Sequence, residues 1–421
     1  MINKKTDKTN LKNIFSYVIT VLKWLLISVV TGIVVGAVGT GFHYAIDYAT
    51  ELRNHHTWLI YLLPVGGLLI ALLYHICKKD DDKGTNFILS AVKGKNIVSV
   101  ITAPLIFISS TITHLFGGSA GREGAALQLG GSIANKIGRL IKLDEGEMRI
   151  ITMCGMSAAF SAVFGTPVTA AIFAIEVVSV GIMHFSAIVP CAISSLVANA
   201  IAKFCSVQPT EFQLNNVPEF SFFSLGMTSL LAILCAIMSI VFCVTMHKTT
   251  ELYKKLFKNR YLRIVVGGVI VIILTFIVGS YDYNGAGMHI IKNAFSGEVK
   301  YEAFILKLIF TALTIGAGYK GGEIVPVFFT GATFGNVTGR LLGLSSSFGA
   351  GIGLISLFCG VTNCPITSII LSVELFGSEG MIFFLLSCAL SYMVSGYFGL
   401  YEEQEIRYSK LKLKKIDRKI Q

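Results

Sequence analysis

Charge is scarce in this sequence: 14% of its 421 residues are Asp, Glu, Lys or Arg, against roughly 25% in a soluble domain. With 53% hydrophobic residues and a mean hydropathy of +0.71, that scarcity excludes a water-soluble enzyme. Cysteine pairing is missing as well. Cys77, Cys154, Cys191, Cys205, Cys235, Cys243, Cys359, Cys364 and Cys388 lie in or beside apolar runs and read as small buried hydrophobes. Cys359 and Cys364 have no His or second Cys pair nearby, so neither a metal site nor any other cofactor is expected. The start lacks a small-residue cleavage site, which makes it a polar tail over 1–13 leading into an uncleaved membrane helix. There is no RNA-binding signature, and no Asp-rich ring or carbonyl filter of a cation pore.

What the chain has instead is apolar runs. Those at 59–76, 97–116, 225–244, 262–278 and 381–397 match the ~20 residues that a helix needs to cross a bilayer. This predicts an all-α polytopic protein of the cell membrane. The 42 glycines sit inside these runs, where they permit close helix contact or a break in the helix. The segment 150–183 is too long for one span and too short for two, which predicts re-entrant pieces. Net charge is 35 − 24 = +11, but the positives cluster at the two ends. Lys4, Lys5, Lys8 and Lys12 precede the first run, and Arg407, Lys410, Lys412, Lys414, Lys415, Arg418 and Lys419 follow the last. By the positive-inside rule both termini are cytoplasmic. The end is then a solvated basic tail over 409–421 that touches anionic lipid, and nucleic acid is not the expected partner.

The chain is written twice. Gly121-Arg122-Glu123-Gly124 faces Gly321-Gly322-Glu323-Ile324 at an offset of 200 (Gly121 to Gly321), and each run leads to an Asn and a Gly-Arg-Leu. Those are Asn135 with Gly138-Arg139-Leu140 and Asn336 with Gly339-Arg340-Leu341, which implies one inserted residue. Further on, Cys154-Gly155 matches Cys359-Gly360, and Pro167 with Glu176 matches Pro365 with Glu374. A polar junction at 204–218, carrying Gln208, Asn215 and Asn216, divides a first membrane repeat at 14–205 from a second at 206–408. Repeated halves are the mark of a transporter or channel whose ion site lies near the midplane, where discontinuous helices meet.

A glutamate inside an apolar, glycine-rich stretch is a functional-site candidate by default, and both Glu123 and Glu323 are placed so. The glycines allow a helix to begin at membrane depth, and its N-terminal end carries about +0.5 of an elementary charge with unpaired N–H donors. Such an end binds a small anion. A carboxylate beside it can occupy the site when ionised and leave when protonated, so proton uptake and anion passage exclude one another. Pairing of Glu123 with Arg122 is the weaker reading, because neighbours do not face each other on a helix; for Glu323, Lys320 is a plausible partner. Glu176 and Glu374 read as helix-end carboxylates facing water or a neighbouring helix, and His114 and His184 as packed or interfacial. A competing reading takes Gly117-Gly118-Ser119-Ala120-Gly121 as the G-x-S-x-G of an intramembrane serine protease with His184 or His289 as base, but it leaves the repeat unexplained.

These residues resemble the CLC family of chloride channels and anion/proton exchangers. The resemblance rests on Gly121-Arg122-Glu123-Gly124 within 113–124, on Gly322-Glu323-Ile324-Val325-Pro326, and on Gly165-Thr166-Pro167 leading to Glu176. It implies an inverted-repeat, all-helical homodimer with one pathway for halide and protons in each subunit, and no enzymatic chemistry. Glu123 matches the family's external gating glutamate, and Tyr401 looks like the tyrosine that closes the anion site from inside. Thr85 would supply a hydroxyl, Ile324 and Val325 their amides, and Gly121, Arg122 and Gly124 would flank the ion. Only 20 residues follow Tyr401 (421 − 401), so the family's paired regulatory domains are not expected. Ala125 replaces a proline, the segment around Thr85 lacks a glycine and a proline, Glu323 fills a variable slot, and Val177 stands where many exchangers carry an internal proton relay. An extra Glu with a missing relay looks like the fluoride-exporting branch. The donor inventory of Thr85 and Val325 tilts the expectation toward chloride or general halide, with a passive channel of the same fold also open.

Overall fold

The structure is a computed structural model that describes residues 4–80, 82–94, 98–297 and 299–420, with side chains from residue 15 onward. Eight helices fill the first half: α1 (Lys4–His55), α2 (Leu63–Ile76), α3 (Thr85–Val92), α4 (Thr102–Leu115), α5 (Glu123–Leu140), α6 (Glu145–Phe164), α7 (Pro167–Glu176) and α8 (Ile188–Phe204). Eight more fill the second: α9 (Phe222–Leu256), α10 (Arg260–Val278), α11 (Met288–Ser296), α12 (Ala303–Ala317), α13 (Ile324–Leu341), α14 (Ser346–Thr362), α15 (Pro365–Phe376) and α16 (Met381–Val394). Among the described residues, six helical segments are long and apolar enough to cross a membrane. The runs at 97–116 and 381–397 are not among them. Their helices α4 and α16 hold 14 residues each, about 21 Å at 1.5 Å per residue, short of the ~30 Å hydrocarbon core. Of the N-terminal basic residues, Lys4 already lies in α1, while the side chains of Lys4, Lys5, Lys8 and Lys12 fall outside the described residues.

The segment 150–183 divides as a re-entrant piece should. Gly165 ends α6 in the left-handed region at φ +78°, and Pro167 opens α7 in its first turn, where its missing N–H leaves nothing unsatisfied. The second half repeats the device with Asn363 at φ +58° and Pro365. The elements also correct the register of the repeat. Helices α5 and α13 both hold 18 residues and begin at Glu123 and Ile324, an offset of 201 (324 − 123). Asn135 and Asn336 obey the same offset, so nothing is inserted between motif and helix end. Glu123 is therefore the first residue of α5, whereas Glu323 caps α13 from outside and is the counterpart of Arg122. The match of Cys154-Gly155 to Cys359-Gly360 fails for a related reason. Helix α6 meets α5 where Gly155 lies against Gly130, and α14 meets α13 where Gly353 lies against Gly331. A Cβ at Gly331 would stand 2.6 Å from the Gly353 carbonyl oxygen. Glycine lets these backbones touch, and Gly353, not Gly360, is the partner of Gly155.

Two carboxylates lock the halves together. Glu176, at the C-terminal end of α7, accepts hydrogen bonds from Ile366 N (3.1 Å), Thr367 N (2.7 Å) and Thr367 Oγ1 (2.5 Å) at the start of α15. Glu374, near the end of α15, accepts from Val168 N (2.9 Å) and Thr169 N (2.7 Å) at the start of α7. Each carboxylate satisfies orphan donors and faces the positive end of the opposite helix dipole. Glu176→Ala is expected to lower stability by about 1–3 kcal/mol, since buried donors lose their acceptor, while Glu176→Gln keeps an acceptor oxygen and loses less. Thermal unfolding in detergent checks the ranking, and equal melting temperatures for Ala and wild type would refute it.

The all-α architecture carries one small sheet, formed by β1 (Ser179–Val180), β2 (Glu405–Tyr408) and β3 (Lys415–Lys419), with β1 parallel and β3 antiparallel to β2. The basic tail is thus folded rather than freely solvated. Lys410 donates to Ser395 Oγ at 3.0 Å and to Asn363, and lies 4.5 Å from the Tyr392 ring centroid. The Arg407 guanidinium, 3.0 Å from Asp417, holds that carboxyl below the usual carboxylate range. Lys412, Lys414, Lys415, Arg418 and Lys419 remain exposed. All nine cysteines are free, and most are buried, but Cys205 is exposed at the end of α8 and Cys77 is half-buried.

Candidate anion-binding site

Two glycine-rich loops meet at the centre. Gly121 N donates to Gly322 O at 2.6 Å and Gly322 N to Gly121 O at 2.7 Å, an antiparallel bridge that sets the N-termini of α5 and α13 against each other. The first loop is fixed from several sides. Asn284 Nδ2 donates to Gly117 O (2.9 Å), Gly285 N to Gly118 O (3.1 Å) and Ser119 N to Thr314 Oγ1 (3.1 Å), and a ring nitrogen of the buried His114 lies 3.3 Å from Gly121 O. Lys307, fully buried in α12, donates to Gly285 O at 2.6 Å and Tyr283 O at 3.2 Å. The serine of the protease motif is spent on structure. Ser119 Oγ lies 3.0 Å from Thr311 Oγ1, His289 pairs with Asp282 at 3.2 Å, and Nε2 of the half-buried His184 has no hydrogen-bond partner among the described residues.

On one side of the bridge a cavity of about 320 Å³ is lined by Gly84, Thr85, Gln128, Lys320, Glu323 and Tyr401, among others. Thr85 begins α3 after Gly84 at φ +62°, a left-handed position suited to glycine. Its hydroxyl donates to Gly124 O at 3.2 Å and accepts from Gln128 Nε2 at 3.4 Å. A Cβ at Gly124 would stand 3.3 Å from Thr85 Oγ1 and 3.4 Å from Glu323 Oε2, so both oxygens converge on one point that only glycine leaves open. Lys320 does not pair with Glu323; its ammonium lies 2.9 Å from Asp82. Tyr401 is buried, and its hydroxyl has no partner among the described residues. Its backbone is held by Gln404, whose N–H donates to Tyr401 O (2.9 Å) and whose side chain donates to Val177 O (3.0 Å) and Thr362 O (2.8 Å).

On the other side a second cavity, of about 550 Å³, is lined by residues that include Asp47, Arg53, Arg122, Asn284 and Val325. Glu123 lines neither cavity and is 1% exposed. Its carboxylate accepts from Arg122 N at 3.1 Å and lies 3.8 Å from Arg122 Nε. The i, i+1 argument against that pairing fails because Arg122 is the N-cap and stands outside the helix. The stronger partner of Arg122 is Asp47, at 2.6 Å. A Cβ at Gly121 would stand 3.0 Å from both Glu123 Oε2 and Val325 Cβ, which places the carboxylate in the gap between the loops. The arrangement is two cavities with the Glu123 carboxylate in the gap between the two loops.

The residues that the sequence assigned to the gate and the anion lie around this centre: Glu123, Gly121 and Arg122 at the gap, Thr85, Gly124, Glu323 and Tyr401 on the first side, and Ile324 and Val325 as the first two residues of α13, where amides lack intrahelical partners, whereas Glu176 and Glu374 join α7 and α15 instead. Sequence reading missed Gln128. Its signal was present, an amide in a glycine-rich apolar helix four residues after Gly124 and so on the same face. Asp82 was missed because a loop aspartate next to Asp80 and Asp81 looks like ordinary solvated charge.

Tyr401→Ala is expected to raise anion leak relative to coupled protons, because the change opens the floor of the first cavity, while Tyr401→Phe removes only the hydroxyl and should mainly weaken anion affinity. Flux stoichiometry in vesicles checks this; unchanged leak and affinity in both variants would assign the ring to packing alone.

Comparison with known proteins gives the family and the fold. The family model described as Voltage gated chloride channel matches residues 66–396. A protein named Chloride/fluoride channel protein, from Pseudomonas syringae pv. tomato, is 34% identical over 397 residues, covering 93% of this chain and 88% of the relative. Among solved structures, a CLC-type fluoride/proton antiporter superposes with a TM-score of 0.88 at 28% identity, over 91% of this chain and 98% of that one. A slow cyanobacterial Cl-/H+ antiporter gives 0.76 at 21% identity, over 88% and 94%, a similarity of fold.

Proposed function

We propose, from the premise that this chain belongs to the voltage gated chloride channel family, that this halide transporter exchanges fluoride for protons. The observation that carries the reading is the pair of carboxylates at one crossing, Glu123 buried and Glu323 half-buried. Glu123 plugs the gap between the vestibules, and Glu323 faces the first vestibule with no ion-pair partner of its own among the described residues. Fluoride is smaller than chloride and holds water more tightly, so its site must replace hydration with close, strong donors. Thr85 and Val325 alone offer one hydroxyl and one amide, which favours chloride. The structure adds the unpartnered Tyr401 hydroxyl, and a protonated Glu323 adds an O–H donor. The Pseudomonas syringae relative, named for both chloride and fluoride, and the superposing fluoride/proton antiporter support the same substrate.

Val177 removes the side-chain relay found in many exchangers, and here its carbonyl serves to anchor Gln404. Glu323, open to the first vestibule, takes over as the second proton-carrying group. Basic residues at both ends of the sequence put both termini in the cytoplasm, with the first vestibule on that side and fluoride leaving the cell as protons enter. Val168 on α7, Val189 and Leu196 on α8, Ile366 on α15 and Leu385 on α16 are exposed, an apolar surface suited to lipid and to a second copy in a homodimer.

The test is a reconstituted flux assay with paired fluoride, chloride and pH electrodes. Fluoride efflux should exceed chloride efflux by about tenfold or more, a difference of about 1.4 kcal/mol, and a fluoride gradient should drive protons uphill. Chloride flux equal to fluoride flux would establish general halide transport instead, and fluoride flux without protons would establish a channel.

A further inference from the structure

We infer that the Asp82–Lys320 ion pair is a positioning device that sets the spacing between the Thr85 hydroxyl and the Glu323 carboxylate, and through it the preference for a small anion. The inference rests on the reading above and concerns how the same site selects its ion. Asp82 lies three residues before Thr85, in the loop between α2 and α3; Lys320 lies three residues before Glu323, in the loop between α12 and α13. Both loops bend at glycines, Gly84 at φ +62° on one and Gly318 at φ +116° on the other. The two loops are linked to each other beside these turns. The tie is a contact of 2.9 Å between Lys320 Nζ and Asp82 Oδ2, with the side chains 19% and 5% exposed. The ammonium also lies 4.3 Å from the Tyr74 ring centroid, an arrangement that adds a cation–π attraction and fixes the lysine from below.

The tie acts where the two functional groups meet. Thr85 Oγ1 and Glu323 Oε2 approach the same point beside Gly124, and that separation is set by how far apart the α3 and α13 loops stand. The bridge between Gly121 and Gly322 fixes α5 against α13 but does not reach α3. On the α3 side, the Thr85 hydroxyl makes long hydrogen bonds, 3.2 Å to Gly124 O and 3.4 Å from Gln128 Nε2, and α3 is held besides by its packing on α5 and α6 and by Asn86 Oδ1, which accepts from Glu403 N at 3.1 Å. The charge pair is the short link between the α3 loop and the α13 loop. A buried ion pair is weak support for stability, because desolvation offsets most of its Coulomb gain; a pair kept next to an anion site has a geometric use. Fluoride, the smaller ion, gains most from two oxygens held close, and loosening the tie admits larger halides on equal terms.

The experiment starts from wild-type protein shown to transport fluoride, so that a failure of the transport reading is seen before any variant is made. Replacing both partners by apolar residues of similar length, Asp82→Leu with Lys320→Met, leaves no unpaired buried charge. The ratio of fluoride to chloride flux should fall about tenfold, with chloride flux retained and the melting temperature in detergent close to that of wild type. Exchanging the partners, Asp82→Lys with Lys320→Asp, should recover at least half of the lost selectivity, and Lys320→Arg should keep it. If the apolar pair does not yield folded protein, Asp82→Glu, which lengthens the tie by one methylene, should lower the ratio about threefold. An unchanged ratio in the apolar pair or in Asp82→Glu, or an exchanged pair no better than the apolar one, would overturn the inference.

Discussion

Vesicles carrying Glu123→Gln should move no measurable protons, a loss of about 100-fold or more, while their halide flux becomes indifferent to pH. The reason is positional. Glu123 is the first residue of α5, lines neither vestibule and sits in the gap between Gly121 and Val325. On the proposed reading, the carboxylate competes with the anion for the N-terminal donors of the two helices and, once protonated, leaves them to the ion. Glutamine has the shape of the protonated form and no proton to give. Halide therefore passes without waiting for protonation, and the pH dependence of the wild type disappears. Persistent uphill proton transport in this variant would remove Glu123 from the coupling step.

Glu323→Ala should weaken fluoride binding by about 10–150-fold, the equivalent of a hydrogen bond to an ionised partner at about 1.5–3 kcal/mol. Glu323→Gln should behave differently. Its amide still donates to the anion but cannot shed a proton, so binding survives while coupled turnover is lost. The contrast separates a donor role from a proton-carrying role at one residue, and isothermal titration beside proton flux reads both. If Glu323→Gln kept full coupling, Glu323 would be a fixed element of the α13 cap, and the missing relay at Val177 would need another replacement.

The fold class was legible, and so were residues that the structure brings together at its centre, because burial in lipid forces a code onto the sequence. A glutamate between glycines in an apolar run has few reasons to exist other than function, which is why Glu123 and Glu323 stood out. Register was less legible. Identity matching aligned Glu123 with Glu323, whereas the helix starts show that Glu323 answers to Arg122, because a cap is defined by backbone hydrogen bonds and glycine-rich loops slip by one residue without changing their composition. Span lengths misled for a similar reason. Hydropathy counts apolar residues in turns as readily as in helices, so the run around α4 seemed to cross when its helix holds 14 residues. Glu176 and Glu374 were placed at helix ends, facing water or a neighbour; that each reaches the start of a helix about 200 positions away is a tertiary fact with no local signature.

That exchange bears on how the chain can be cut. Each half supplies the acceptor that the other half's helix needs, Glu176 to α15 and Glu374 to α7. A single repeat standing alone would bury a helix start with no ligand and carry a carboxylate with no helix to serve. Two identical copies related by a two-fold axis would satisfy both needs at once, as an isologous contact does. The two halves thus make within one polypeptide the self-complementary contact that two copies of one repeat would make. A modern protein severed between α8 and α9 should regain its shape only when both fragments are made in the same cell.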